Sequence, residues 1–427
     1  MNYIRIYGKQ YDISELKHVH PGGSELLELC SGEPDSTALF ESYHAFCNEN
    51  KVNAMMKKYE VVNEKPSKQM FQFKTNGFYL TLKARVRKFF EAKFNKDMER
   101  GMVKWNLNWF VTVVLVWILF LVCQYQMLFG EGHWFTRSIF SLLSGISLTG
   151  LGYNVLHDAS HYAVSKNPVV NQYLSQFHSA LQCWNHILWA KHHCVRHHQY
   201  TGNVEYDPDM HHAMPFLRKS TQQSVKPLTF TLNLFWMKLL FVFVVFPGAL
   251  FGQGLVYHLK WMRTNHLWKM TLPINFTITK QLGQLITSAL FLIVMVVFGG
   301  RYAILHMIGG NLAFFIGSAP DHDLFPTHLE VQKFGAEMDW GETQVRAAAN
   351  FCSKSRLFTK FMGGINYQIE HHLFPSMSNH YLQEISPIVQ QTCKEFNIPY
   401  NCIDDPIEVG KQLYKTYYSV ASHGKGK

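Results

Sequence analysis

The strongest constraint on the fold is a set of long apolar runs set between polar segments. Residues 107–128 and 135–156 are each long enough to cross a hydrocarbon core of about 30 Å as a helix, and only the polar turn GEGHW lies between them. So short a turn makes a hairpin, with both open ends on one side of the bilayer. Residues 281–298 and 302–319, joined by GGR, read as a second hairpin. Residues 232–258 are also apolar, but Pro247, Gly248, Gly252 and Gly254 interrupt them; such a stretch is expected to be interfacial or re-entrant rather than spanning. The chain is 47% hydrophobic and 16% charged over 427 residues, yet its mean hydropathy is −0.08. The apolar residues are therefore concentrated in these blocks, and the polar remainder must form a substantial body outside the membrane.

The formal charge of +10 and the pI near 9.0 do not point to nucleic acid, because Lys and Arg lie between apolar blocks and form no single basic stripe. Anionic headgroups and the positive-inside rule account for them. Eight cysteines without CxxC pairing argue against a disulfide framework and for a reducing compartment. The first thirty residues carry Arg5, Lys9, Asp12, Glu15 and Lys17 and no apolar core, so the N-terminus is expected to stay cytosolic. After it, the NEKPSKQ segment reads as a linker, and the basic and aromatic run through Lys83, Arg85, Arg87, Lys88 and Phe89 as an interfacial helix on the headgroups.

Histidines gather at the ends of the apolar runs. HDASH supplies His157 and His161, four apart and hence on one helical face. KHHCVRHH supplies His193, His197 and His198 in an HxxxHH spacing, and QIEHH supplies Gln368, His371 and His372. His322 follows the second hairpin in APDHD. The hairpin arithmetic puts all of them on the cytosolic side. Neutral imidazoles with little sulfur suit iron, copper, nickel or zinc rather than magnesium or calcium. Asp158 is a candidate acceptor for a ligand's second ring proton, whereas Asp207 and Asp209 read as structural or supporting groups. His178, His186, His192, His211 and His212 read as hydrogen-bonding or surface residues. Trp184 and Trp189 suit either an interfacial belt or the wall of an apolar substrate tunnel.

Near the N-terminus, a short strand YIRIY leads to YDISEL, with a helix start at Ser14, and then to HPGGSELLELC. Pro21, Gly22 and Gly23 force a tight turn after His20, and a second histidine, His44, follows in ALFESYHAF. This pattern resembles cytochrome b5. The resemblance implies haem b held by His20 and His44, with both axial positions filled, so that the haem carries electrons and does not bind oxygen. It also implies an acidic rim for docking a reductase, here Glu25, Glu28, Glu33, Asp35 and Glu41.

HDASH, HxxxHH and QxxHH, in this order and membrane setting, resemble the integral-membrane fatty acid desaturases. The N-terminal fusion and the glutamine opening the third box are similar to the front-end branch, which inserts a double bond between an existing one and the carboxyl end. The resemblance implies metal ligation by His157, His161, His193, His197, His198, His371 and His372. His322 matches a less sharply defined ligand position in an altered local context, and Gln368 stands where other branches have histidine. The expected architecture is a small α+β cytochrome b5-like haem domain (1–62), a linker and interfacial helix (63–105), and an all-α membrane desaturase domain (106–427) with four transmembrane helices, interfacial helices and a cytosolic cap. Breaking an unactivated C–H bond needs an oxidant made from dioxygen, which zinc cannot support; two non-haem irons are expected. Electrons are expected from NADH–cytochrome b5 reductase, since no nicotinamide or flavin motif is present, and the substrate is a fatty acyl-CoA or phospholipid at the endoplasmic reticulum membrane. A sphingolipid long-chain-base desaturase and a membrane acyl hydroxylase would share this layout. A non-enzymatic membrane-anchored electron carrier would need only one span.

Overall fold

The computed structural model describes residues 2–62, 67–211, 219–223, 259–260, 263–264, 266–267, 270–271, 278–331, 334 and 337–422. The 232–258 stretch, part of the linker and His212 lie outside the described residues. The chain opens with an antiparallel hairpin, β1 (Tyr3–Ile6) and β2 (Lys9–Asp12). Tyr7 and Gly8 form its turn, both at positive φ (54° and 74°), as a tight right-twisted hairpin requires. Four helices follow: α1 (Ile13–Val19), α2 (Glu25–Cys30), α3 (Thr37–Tyr43) and α4 (Glu49–Tyr59). Asp12, not Ser14, caps α1, its side chain accepting the Ser14 N–H at 2.8 Å.

The amphipathic helix expected on the headgroups is instead clothed by protein. It is α5 (Phe78–Phe94), and Phe78, Tyr79, Leu82, Val86 and Phe90 recur at three- and four-residue steps with 0–2% exposure. They pack in one core with Trp340, Phe374, Leu382 and Val389 of the C-terminal region; the Tyr79 and Trp340 rings meet edge-on at 4.8 Å. Each such side chain contributes roughly 1.5–3 kcal/mol by burial, more than a headgroup layer offers a helix whose other face is charged. The periodicity was legible, but not which surface would cover it.

Among the described residues, four helices are long and apolar enough to span: Arg100–Phe129, Trp134–Ser160, Leu282–Gly299 and Arg301–Asp323. Within them lie α6 (Leu107–Phe129), α7 (Trp134–Leu151), α9 (Ile278–Gly299) and α10 (Arg301–Asp323), while α8 (Pro168–Leu181) links the hairpins. The second and fourth cross at glycines. A Cβ on Gly145 would stand 1.8 Å from the His306 carbonyl oxygen, and one on Gly309 2.2 Å from that of Leu142. Small residues let backbones approach this closely in a bilayer, and Thr149 donates to the Gly310 carbonyl at 3.0 Å. Beyond the spans come α11 (Trp340–Ala347), α12 (Gln368–Leu373) and α13 (Leu382–Glu395), which form the cap with α5, and α14 (Pro406–Ser422), which packs in a separate core with Ala319, Leu324 and Phe351.

Candidate metal centre

The first histidine box opens at the end of a stretch wound more loosely than an α-helix, and the second lies on another. Gly152–His157 continues α7 as a π-helix, and Ala190–His197 is a second one. Such i→i+5 winding is rare and concentrates at functional sites. Its consequence is local: residues five apart come to share a face. His193 Nε2 therefore stands 3.3 Å from His198 Nε2, while His197, four residues after His193, turns elsewhere.

The histidines thus fall into two groups. His157, His161, His193, His198 and His371 form one; His197, His322 and His372 form the other. In the first, His157 and His193 are 3.1 Å apart through their Nε2 atoms, and so are His371 and His198. In the second, His197 and His322 are 3.2 Å apart, and the Gln368 amide lies 3.1 Å from both His322 and His372. Ligands on metal–nitrogen bonds of ~2.1 Å at octahedral to tetrahedral angles stand about 3.0–3.4 Å from one another. Buried atoms without a partner here include His161 Nε2 and Gln368 Oε1, as an inward-facing donor set leaves them, and His198 Nδ1 on the outer side. These residues fit two metal ions.

The outward ring atoms explain how the donors are aimed. His197 Nδ1 lies 3.1 Å from Asp207 Oδ1, His322 Nδ1 2.8 Å from the Ala347 carbonyl, and His372 Nδ1 2.9 Å from Gln344 Oε1. A proton on each Nδ1 leaves each Nε2 lone pair facing the group's centre. His161 Nδ1 meets the Tyr43 hydroxyl at 2.8 Å. Asp158, expected in this role, stands 3.9 Å from His157 Nδ1 and accepts the Asn379 N–H instead. Asp207, read as a supporting group, carries it for His197. His192 bonds Asp209 at 2.5 Å, His178 the Leu174 carbonyl, His186 both Glu25 and Ser175, and His211 the Val204 carbonyl. Trp189 stacks on His193 at 4.4 Å and donates to Ser160 Oγ, so it braces the site. The sequence reading missed Tyr43, Gln344 and Ala347, which carry no spacing signal.

Burial holds His161, His193, His198, His371 and His372 well below the usual imidazole range, and neighbouring histidines push them further down. They stay neutral, the form that ligates. Burial alone would depress His197 too, but Asp207 and Asp209 outweigh it and raise its pKa.

The haem domain presents a second facing pair. His20 Nδ1 lies 3.1 Å from the Gly23 carbonyl and His44 Nδ1 2.8 Å from that of Phe40, which frees both Nε2 atoms, and the rings are 5.9 Å apart. Gly22 must be glycine, because a Cβ there would stand 2.7 Å from His20 Cε1. Two axial imidazoles on one haem iron fit this arrangement. The acidic rim does not await a reductase in this structure. Glu25, Glu33, Asp35 and Glu41 are 2–7% exposed. Glu33 is gripped by Lys191 and Arg196, Glu25 by His186 and Tyr162, and Glu41 by Lys83. Asp35 accepts from Thr37 and the Met70 N–H, and Glu28 pairs with Lys17. Glu25, Glu33 and Glu41 are thus spent on docking the haem domain to the rest of its own chain, while Glu28 pairs within the domain.

Fold and site together define a multi-pass membrane oxidoreductase that carries its own cytochrome b5-like domain. The sequence profile of the fatty acid desaturase family matches residues 132–404, and that of the cytochrome b5-like haem/steroid-binding domain residues 2–63. The chain belongs to the fatty acid desaturase family. It is similar to acyl-lipid (8-3)-desaturase B of Dictyostelium discoideum, with 27% identity over 93% of this chain and 86% of the relative. Acyl-lipid (8-3)-desaturase of Mortierella alpina is 28% identical over 93% and 89%. Acyl-lipid (9-3)-desaturase of Borago officinalis is 26% identical over 93% and 86%.

Proposed function

We propose that this chain is a front-end desaturase that uses dioxygen to insert a cis double bond into a polyunsaturated acyl chain, between an existing double bond and the carboxyl end. The observation that carries this reading is the pairing of two adjoining buried imidazole groups with a haem-type domain docked against the helix that bears the second box. Relatives that span nearly the whole chain and are named acyl-lipid enzymes favour a lipid-linked acyl group over acyl-CoA. His157, His161, His193, His198 and His371 hold one iron, and His197, His322 and His372 the other, with Gln368 at its edge. His20 and His44 hold haem b.

Two non-haem irons, when bound, supply dioxygen activation, and the haem supplies electron relay. The protein's own residues set the conditions. Asp207, Gln344 and the Ala347 carbonyl fix the tautomers of the second group, burial keeps His161, His193, His198, His371 and His372 neutral, and Trp189 shields His193. A separate NADH–cytochrome b5 reductase at the cytosolic face of the endoplasmic reticulum membrane supplies electrons, and fusion of the haem domain raises its effective concentration at the metal site.

The test is expression in a yeast host fed a panel of polyunsaturated acids, with fatty acid methyl esters profiled. A new double bond on the carboxyl side of an existing one is expected. A hydroxylated product, or desaturation of long-chain bases alone, overturns the proposal.

A further inference from the structure

The haem domain does not merely touch the desaturase domain; one of its side chains reaches the metal site. Tyr43 ends α3, next to His44, and its hydroxyl lies 2.8 Å from Nδ1 of His161, a residue 118 positions later in the chain. Nε2 of His161 is buried and unpartnered, facing the five-histidine group. With Nε2 turned to a metal, Nδ1 must carry the proton, so Tyr43 Oη accepts that bond. The tyrosine O–H is then left for Cys194, whose thiol meets the Ser160 carbonyl at 3.4 Å. Tyr43 therefore orients a ligand in the way Asp207 orients His197, but from another domain.

A second, independent set of contacts holds this arrangement. Lys191 and Arg196 flank His193 in the second box, and both grip Glu33 of the haem domain. Lys191 also donates to the Leu29 carbonyl. Lys191 and Glu33 are 1% and 2% exposed, so the clamp is a buried charge cluster, costly to leave half-paired. One side of the second-box stretch thus carries metal-facing imidazoles and the other anchors the haem domain. Around it, the Tyr200 hydroxyl bonds the Asp35 carbonyl at 2.9 Å, and Phe46 packs on Phe374 at 5.7 Å.

We propose that Tyr43 is the junction between the two redox sites: a positioning residue for His161 and the through-bond link from His44 to the five-histidine group. The proposal rests on the desaturase reading above. With haem and non-haem iron bound, the link would serve transfer of one electron, ferrous haem being oxidised to ferric and ferric non-haem iron reduced to ferrous. No bond to Tyr43 forms or breaks, and its proton stays in place. The electron originates in a nicotinamide-dependent reductase.

The experiment uses full-length protein loaded with haem and iron. Hydrogen–deuterium exchange of the backbone amides of residues 25–43 and 186–200, read by peptide mass spectrometry, reports docking and can be repeated after the non-haem iron is stripped. Stopped-flow optical spectroscopy then follows reoxidation of pre-reduced haem on mixing with acyl substrate and dioxygen. Tyr43→Phe is expected to keep the haem spectrum and the exchange protection, while reoxidation slows about 10–100-fold, the scale on which removing a ligand's hydrogen-bond partner acts. Tyr43→Phe reoxidised as fast as the unsubstituted chain overturns the link. Should Tyr43→Phe fail to fold, Glu33→Lys offers the same test from the clamp: like charges against Lys191 and Arg196 should speed exchange in both segments and slow reoxidation with the haem spectrum intact, and unchanged exchange or unchanged reoxidation would overturn the link. An unsubstituted chain that is protected in both segments but whose haem is never reoxidised by substrate and dioxygen strikes the desaturase reading instead.

Discussion

The two histidine groups sit side by side yet are built differently. The five-histidine group is imidazole throughout; on its outer side the neutral phenol of Tyr43 meets His161, and the Asp158 carboxylate stands 3.9 Å from His157 Nδ1. The three-histidine group is ringed by the Asp207 and Asp209 carboxylates, the Gln368 and Gln344 amides and a backbone carbonyl. Desolvation and mutual repulsion of rings act in both groups, as His372 shows, and at His197 of the second group fixed negative charge outweighs them. The same residue type is pushed down in pKa at His161, His193, His198 and His371 and up at His197. A metal pair with unequal surroundings has two unequal electron affinities, which suits one member to receiving electrons and the other to a different part of the chemistry.

The strongest way to break this comparison is to empty one group at a time. His161→Ala and His372→Ala should each reduce desaturation below detection, but each is expected to lose about half of the non-haem iron measured by mass spectrometry, because the other group keeps its donors. Loss of all iron from either variant would merge the two groups into one site.

A smaller effect separates the surroundings. Asp207→Asn should lower activity about 10–100-fold, with the iron of the three-histidine group more easily removed by chelators, while Tyr43→Phe leaves that group's iron in place. Equal chelator sensitivity of the two irons in Asp207→Asn would show that the carboxylate does not distinguish the sites.

Gln368 tests whether the second group's donor set is complete. Gln368→His puts an imidazole in place of an amide that lies 3.1 Å from two existing imidazoles and is expected to retain iron but turn over poorly. Gln368→Ala is expected to abolish turnover. Full activity in both variants would make the position scaffolding.

The smallest expected effect is on stability against pH. His44 is depressed to about 4 by burial, then by His20, so below the unfolded value of about 6.5 the unfolded chain binds the extra proton. The haem-free chain should therefore lose stability as pH falls from about 6.5 toward 4, the loss growing through that window, and His44→Gln should flatten this part of a thermal-melt profile. His197 runs the other way, its raised pKa adding stability below about 6.5 that fades as pH rises above it. Asp207→Asn should remove that contribution.

Local chemistry wrote much of this protein into the order of its residues. Four apolar runs set the spans, since a helix needs about 20 apolar residues to cross a bilayer. HPGG set the His20 turn, and the three boxes named the imidazoles. These are relations between residues a few positions apart, and periodicity carries them. Tertiary packing decided the rest: that His193 parts from His197 and joins His198 through π winding, that Asp207 and not Asp158 takes a ligand's proton, that α5 lies under the cap, and that Glu33 of the acidic rim closes on Lys191 and Arg196. Tyr43 and His161 are 118 positions apart. No period links residues that distant; only the burial of one domain's face against another brings a phenol to an imidazole.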